Sequence, residues 1–287
     1  MESPAPRVEW KVLALQLFVL PAGIVAACVG IFLLFGSLAN DEKDARALVS
    51  EIRKSASSWP WDSNARWHAA WMLPSAVEKD RKALKADPAF AQSLTEILAD
   101  PAFPDEVRSS MAHALGVLDD PGAAPALLRG LSAGGEEWAR TRFACAQSLG
   151  SLKSPEAVEP LKTLLQDPVP TVREMAATAL GAIGTPEAEK ALLPALGNSD
   201  REVRWHVAIW LARRGNRASV PVLATLLDPK TFEKIAPDKR SLVMANAAKS
   251  AGALKAPELR AALEALRKAP EAPVRLAAEE ALIAYRP

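Results

Sequence analysis

The chain has 287 residues, is 49% hydrophobic and 24% charged, and carries 35 Lys and Arg against 34 Asp and Glu, a formal net charge of +1. So even a balance argues against nucleic-acid binding, which calls for a basic face. Two cysteines are too few for a disulfide framework or a cysteine-rich zinc site. Long strand-like alternation is absent, which leaves an all-α chain.

Residues 1–11 read as a short tail. From Val12 to Ala39 no charged residue occurs. About 20 apolar residues cross a bilayer, so residues 12–39 are expected to form a single transmembrane helix, with Pro21 as a kink and Trp10 at the interface. A cleaved signal peptide has a shorter apolar core, about 7–15 residues. Val25-Ala26-Ala27-Cys28 resembles a lipobox, and the alternative is a lipid-anchored structural envelope component attached at Cys28. Val29–Phe35 continues the apolar run, against that alternative. The expected location is a bacterial inner membrane. Lys43, Arg46, Arg53 and Lys54 after the span favour a cytoplasmic domain, whereas the short tail ending in Lys11 favours export, the side expected here. Residues 40–63 read as a connecting helix, Asp41–Ser57, and a linker holding Trp59 and Trp61.

From residue 64 to 287 the chain repeats itself. Pro155–Thr185 and Pro186–Asn216 align without a gap, matching at Pro155/Pro186, Leu161/Leu192, Val172/Val203, Arg173/Arg204, Leu180/Leu211 and Gly184/Gly215. A period near 31 residues marks a stacked array. In the first helix of the unit, Val158, Leu161, Leu164 and Leu165 share one face. In the second, Val172, Ala176, Ala179, Leu180 and Ile183 do, and Gly184 suits a left-handed stop. The leucine closing each second helix recurs as Leu73, Leu115, Leu149, Leu180, Leu211 and Leu282. Seven residues before each stands Arg66, Arg108, Arg142, Arg173, Arg204 or Arg275. A further unit, Val243–Gly252, has Met244 in place of the arginine. Ser75–Asp87 and Asp228–Ser241 read as loop insertions.

The Asp-x-x-Val-Arg-x-x-Ala pattern, with Leu-Gly seven and eight residues after the arginine, resembles HEAT repeats, in the short alanine-rich form also found in phycobilisome lyases. Asp105-Glu106-Val107-Arg108 and Arg201-Glu202-Val203-Arg204 after Asp200 carry it best. The resemblance implies a right-handed α-solenoid of helical hairpins, with the arginines as a structural ladder and the second helices on the concave side.

Catalytic and metal-binding patterns are missing from the sequence. His68, His113 and His206 are not followed by glutamate, unlike the His-Glu pairs of iron-binding HEAT-like hydroxylases, and Cys145 stands alone. No catalytic residue, metal or cofactor is expected. One position after the arginine, and four further on, the side chains leave the buried stripe. Trp67, Trp71, His113, Phe143, Trp205 and Ile209 are thereby the candidate groove residues, since aromatics dominate binding hot spots. The alternative for Trp67 and Trp71 is packing under the connecting helix. The function expected is a non-catalytic, membrane-anchored scaffold for a protein or peptide partner, with no nucleic acid. An accessory lyase-like or enzyme-associated protein is the rival. Charge is uneven: Asp41–Glu136 is acidic and Arg201–Arg275 basic, with Arg213-Arg214-Gly215-Asn216-Arg217 in a turn.

Overall fold

The computed structural model describes residues 43–54 and 60–285, with residues 60–63 as backbone only. The tail, residues 12–39 and Cys28 lie outside the described residues, as does Trp59. Among the described residues no helix is long and apolar enough to cross a membrane. That finding overturns the expected single-pass membrane localisation. The larger structural unit of the chain begins at Ala45.

The α-helices are α1 (Ala45–Lys54), α2 (Pro60–Lys79), α3 (Arg81–Lys85), α4 (Pro88–Ala99), α5 (Asp105–Leu118), α6 (Ala124–Leu131), α7 (Ala139–Ser151) and α8 (Val158–Leu164). They continue with α9 (Pro170–Ile183), α10 (Pro186–Leu192), α11 (Arg201–Arg213), α12 (Val220–Leu226), α13 (Pro237–Leu254), α14 (Arg260–Leu266) and α15 (Ala272–Ile283). No strand occurs among the described residues. The second helices α2, α5, α7, α9, α11, α13 and α15 pack successively against one another, and the first helices α4, α6, α8 and α10 form a parallel row. The result is an all-helical repeat solenoid, because one hairpin cannot cover both of its apolar faces.

The local signals act as the residues dictate. Gly184 takes φ 64° and its N–H bonds to the Leu180 carbonyl, ending α9. Pro155 and Pro257 each open a short 3₁₀ turn that leads into the first helix. A missing N–H costs nothing at such a start. The closing leucines Leu73, Leu115, Leu149, Leu180 and Leu211 are fully buried. The residue after Leu149, and the one after Ala251 at the matching position, is small for a packing reason. A Cβ on Gly150 would stand 2.9 Å from Ala179 Cα, and one on Gly252 2.7 Å from Ala281 Cα. Neighbouring second helices therefore touch backbone to backbone at this point.

Two segments differ from expectation. Ser75–Asp87 is helical rather than a loop: α2 runs through Pro74 to Lys79, and α3 follows. The connecting helix lies in the array, as the first helix of the first hairpin: α1 packs on α2, burying Leu48 and Ile52 in the core that holds Ala69 and Leu73.

The arginine register pins the loop within each hairpin and, at Arg108, Arg142 and Arg173, ties one hairpin to the next. Arg142 is 4% exposed; its Nε and Nη2 donate to Asp167 at 2.8 and 3.2 Å, and Nη1 to the carbonyls of Ala133 and Gly135 at 3.1 and 2.6 Å. Arg173 repeats this with Asp200 (3.1 and 2.5 Å) and the carbonyls of Asp167 and Pro168. Burial alone would raise the Asp200 carboxyl, but Arg173 and the N–H groups of Glu202 and Val203 outweigh it and hold it below its ordinary value. Arg204 donates to Asn198 and Ser199, and Arg275 to Ala269 and Pro270. Arg108 donates to the Glu137 carbonyl (2.7 Å) and stacks over Trp138, 3.7 Å from the ring centroid. Arg66 lies over Phe103. In the unit with Met244, Arg240, four residues earlier, pairs with Glu271 of the following hairpin. The sequence register passed over this substitute because it holds position seven before the leucine fixed.

Candidate interaction site

A cavity of about 900 Å³ opens on the second-helix row. Its lining comes from α2, α5 and α7 and from the N-terminal flank of α9, with no residue from the first-helix row. Trp71 and Pro74 form one wall, Phe143 and Ala144 the other, and Ser109, Ser110, His113 and Gln147 the floor between them. A second cavity of about 350 Å³ shares His113 and Gln147 and continues toward Glu78, Arg81 and Asp119. The two make one trough along the helix axes. The lining recurs at helical spacing, 109/113/116 on α5 and 140/144/147/151 on α7, because residues three and four apart share a face.

Three of the expected groove residues, Trp71, His113 and Phe143, meet in this trough. Trp71 is 66% exposed, and its indole lies 6.3 Å from the His68 ring, tilted 43°. Trp67 is 53% exposed but does not line the trough. Neither tryptophan is buried under α1.

Trp205 and Ile209 correct the expectation. They are 5% and 8% exposed and belong to an apolar cluster with Phe232, Met244 and Leu226. The Trp205 and Phe232 rings lie 5.2 Å apart. The physical cause is the insertion after Asp228, whose 3₁₀ turn Pro229–Phe232 brings Phe232 over the position that stays open at Phe143. Pairwise alignment of units cannot show this, because Phe232 has no counterpart in the other hairpins.

Sequence reasoning missed Pro74, Ser110, Arg140, Ala144, Val169 and Thr171. The signal was available: Ser110 and Ala144 stand two places after Arg108 and Arg142, beside the column already chosen. Arg140 reaches Glu106 at 3.7 Å, both groups solvent-exposed. The Ser109 and Ser110 hydroxyls donate to the Glu106 carbonyl at 2.9 and 3.0 Å, so neither is held by a general base. Cys145 is buried on the face of α7 that meets α6, and burial pushes its thiol up, so it packs rather than reacts. No group of three or more His, Cys, Asp or Glu side chains suited to a metal ion occurs among the described residues. The trough is thus apolar and aromatic with amide, imidazole and hydroxyl groups on its floor.

The family model for HEAT repeats matches residues 91–177 and 161–233. Residues 91–233 are HEAT repeats. Three solved structures share the fold. The complex of CpcE and CpcF of phycocyanin lyase from Nostoc sp. PCC7120 is 23% identical, with TM-score 0.55 over 86% of this chain and 90% of that one. YibA of E. coli is 17% identical, with TM-score 0.56 over 87% and 90%. An engineered protein is 20% identical, with TM-score 0.50 over 83% and 68%. No curated protein matches the sequence. At these identities the HEAT array shares architecture with these proteins, and function has to be argued from its own trough.

Proposed function

We propose that the protein is a non-catalytic scaffold that docks a polypeptide segment in the trough between α2, α5 and α7. The observation that carries this reading is the convergence of Trp71, His113 and Phe143, from three successive second helices, on one open cavity. An indole left two-thirds exposed beside a second aromatic ring is the arrangement that binding hot spots use. The chemistry divides by height. Trp71 and Phe143 on the walls offer apolar contact, while His113 and Gln147 on the floor offer hydrogen bonds to a peptide backbone. The ladder residues Arg66, Arg108, Arg142, Arg173, Arg204 and Arg275 act in this reading as structure, since their guanidinium groups face neighbouring hairpins and loop carbonyls.

The test is chemical crosslinking in cells with a photoreactive amino acid at Ser75 or Arg140, on the trough rim, followed by mass spectrometry. Peptides from a defined partner are expected, and Trp71→Ala with Phe143→Ala should abolish them while leaving the circular dichroism unchanged. Crosslinks that persist in that double variant, or none above those from an outer-helix site such as Glu159, would refute the assignment.

A further inference from the structure

The basic run Arg213-Arg214-Gly215-Asn216-Arg217 is a second feature, and it does not depend on the trough having a ligand. In the sequence it is one cluster in a turn. The fold splits it. Gly215 takes φ 78°, and the chain leaves the end of α11 there. Arg217, beyond that turn, pairs with Glu258 at 2.7 Å. Asn216 holds Glu189, also at 2.7 Å. Arg213 and Arg214 stay exposed at the end of α11. Arg214 Nη1 lies 3.9 Å from where a Cβ on Gly184 would stand, over the end of α9.

A third cation joins them from α13. Arg213 stands two places after Leu211, and Lys249 two places before Ala251, which holds the leucine position of its unit. The same two positions in the α5–α7 pair, Val117 and Gln147, line one cavity. Arg213 Nε donates to Ser250 Oγ of α13 at 3.3 Å, which brings Arg213 beside exposed Lys249. The Arg213 guanidinium is held from its stem side, by Ser250 and by the Trp210 ring, whose centroid is 5.5 Å from Cζ. Its two terminal amino groups have no partner among the described residues. A fork presented in this way matches a carboxylate bidentately.

The surrounding charges do not neutralise the three. No ion pair to a described residue engages Arg213, Arg214 or Lys249. The acids of α9 and α11 stand toward the opposite ends of those helices: Asp200 is paired with Arg173 and Glu202 with Lys239, and burial pushes the Glu174 carboxyl up to about 7. A cation at a helix C-terminus serves the helix dipole, which accounts for one arginine at the end of α11. It does not account for Lys249, more than a turn before Leu254 ends α13.

We propose that Arg213, Arg214 and Lys249 form a docking patch for an acidic segment of a protein partner. The Arg213 fork takes one carboxylate, and Arg214 and Lys249 take the next acids along the segment. A run of acids is required, because one exposed ion pair contributes little and several add up. The patch is narrow, confined to the ends of neighbouring helices and flanked by Glu189 and Glu258, so it suits a single segment. A flat anionic bilayer would press on those flanking acids as well.

The full chain is titrated with a fluorescein-labelled oligoglutamate peptide, followed by fluorescence anisotropy at about 20 mM and about 200 mM salt. Binding is expected at the lower salt and should weaken at the higher. Arg213→Gln with Lys249→Gln should weaken it about tenfold, and Arg213→Lys, which keeps the charge and loses the fork, about threefold. Lys162→Gln with Lys190→Gln, which removes equal charge from the first-helix row, should leave it unchanged. Vesicles of phosphatidylserine and phosphatidylcholine should show no binding that depends on Arg213 and Lys249. Absence of peptide binding, full affinity in Arg213→Gln with Lys249→Gln, an equal loss in the first-helix variant, or vesicle binding abolished by the patch substitutions would each overturn the proposal.

Discussion

Replacing Asp167 by alanine should be among the most damaging single changes in the array. Asp167 and Arg142 are both almost fully buried, with side-chain exposures of 3% and 5%. Arginine stays protonated at any accessible pH, so the variant cannot relieve the strain by neutralising the partner. Removing one member of a buried ion pair costs about 3–5 kcal/mol. Asp167 also accepts the Val169 N–H at 2.8 Å in the turn before α9, and losing that hydrogen bond costs about 1 kcal/mol more. For a unit of this size about 1 kcal/mol moves Tm by about 2–4 °C, so a total of about 4–6 kcal/mol predicts a fall of about 8–24 °C. Urea unfolding followed by far-ultraviolet circular dichroism measures the loss, and a double-mutant cycle with Arg142→Met apportions it. The double variant should recover part of the stability but not all, because the carbonyls of Ala133 and Gly135 lose Arg142 as donor in either background. A cost under about 1 kcal/mol, the range of exposed pairs, or strict additivity in the cycle would refute the ladder as the tie between hairpins.

Other outcomes follow from the same geometry. Trp205→Ala should lower stability by about 3–5 kcal/mol, since it empties a core position, and leave trough crosslinking intact in the fraction that stays folded. Trp71→Ala, at an exposed site, should change stability by less than about 0.5 kcal/mol in the same urea experiment. Gly252→Ala forces a methyl into the α13–α15 contact and should cost about 1–3 kcal/mol, with faster amide exchange confined to α13 and α15. Glu174 also makes stability depend on pH. Its carboxyl is raised in the folded state, so between the ordinary value of 4.5 and about 7 the folded chain binds more protons than the unfolded one, and stability falls as pH rises through that window. Glu174→Gln should remove this slope in urea titrations between pH 5 and pH 8.

Much of the architecture was legible in the residues because a repeat states its own register many times. The closing leucines, the arginines seven places before them and the glycines after them are each explained by one contact made again in the next hairpin. What escaped the reading broke the register. Arg240 performs the arginine's task from four places earlier. The helical continuation through Pro74 hid behind a residue that usually ends helices. At the candidate site, exposure was inferred by analogy between units, which held for Trp71, where no later segment covers the ring. It failed at Trp205, where an inserted turn supplied Phe232. Residues 12–39 were read from apolar length alone and lie outside the described residues.

The arginine ladder also has a direction. Arg108, Arg142, Arg173 and Arg240 each reach forward in the sequence, toward a carbonyl or carboxylate of the following hairpin. On a ribosome that polarity becomes an order in time. Each of these four arginines emerges before its counterpart is synthesised, and the guanidinium must remain hydrated until about thirty further residues appear. Trimming is asymmetric for the same reason. Cutting hairpins from the start leaves an acid that a proton can silence, whereas cutting them from the end strands a permanent cation.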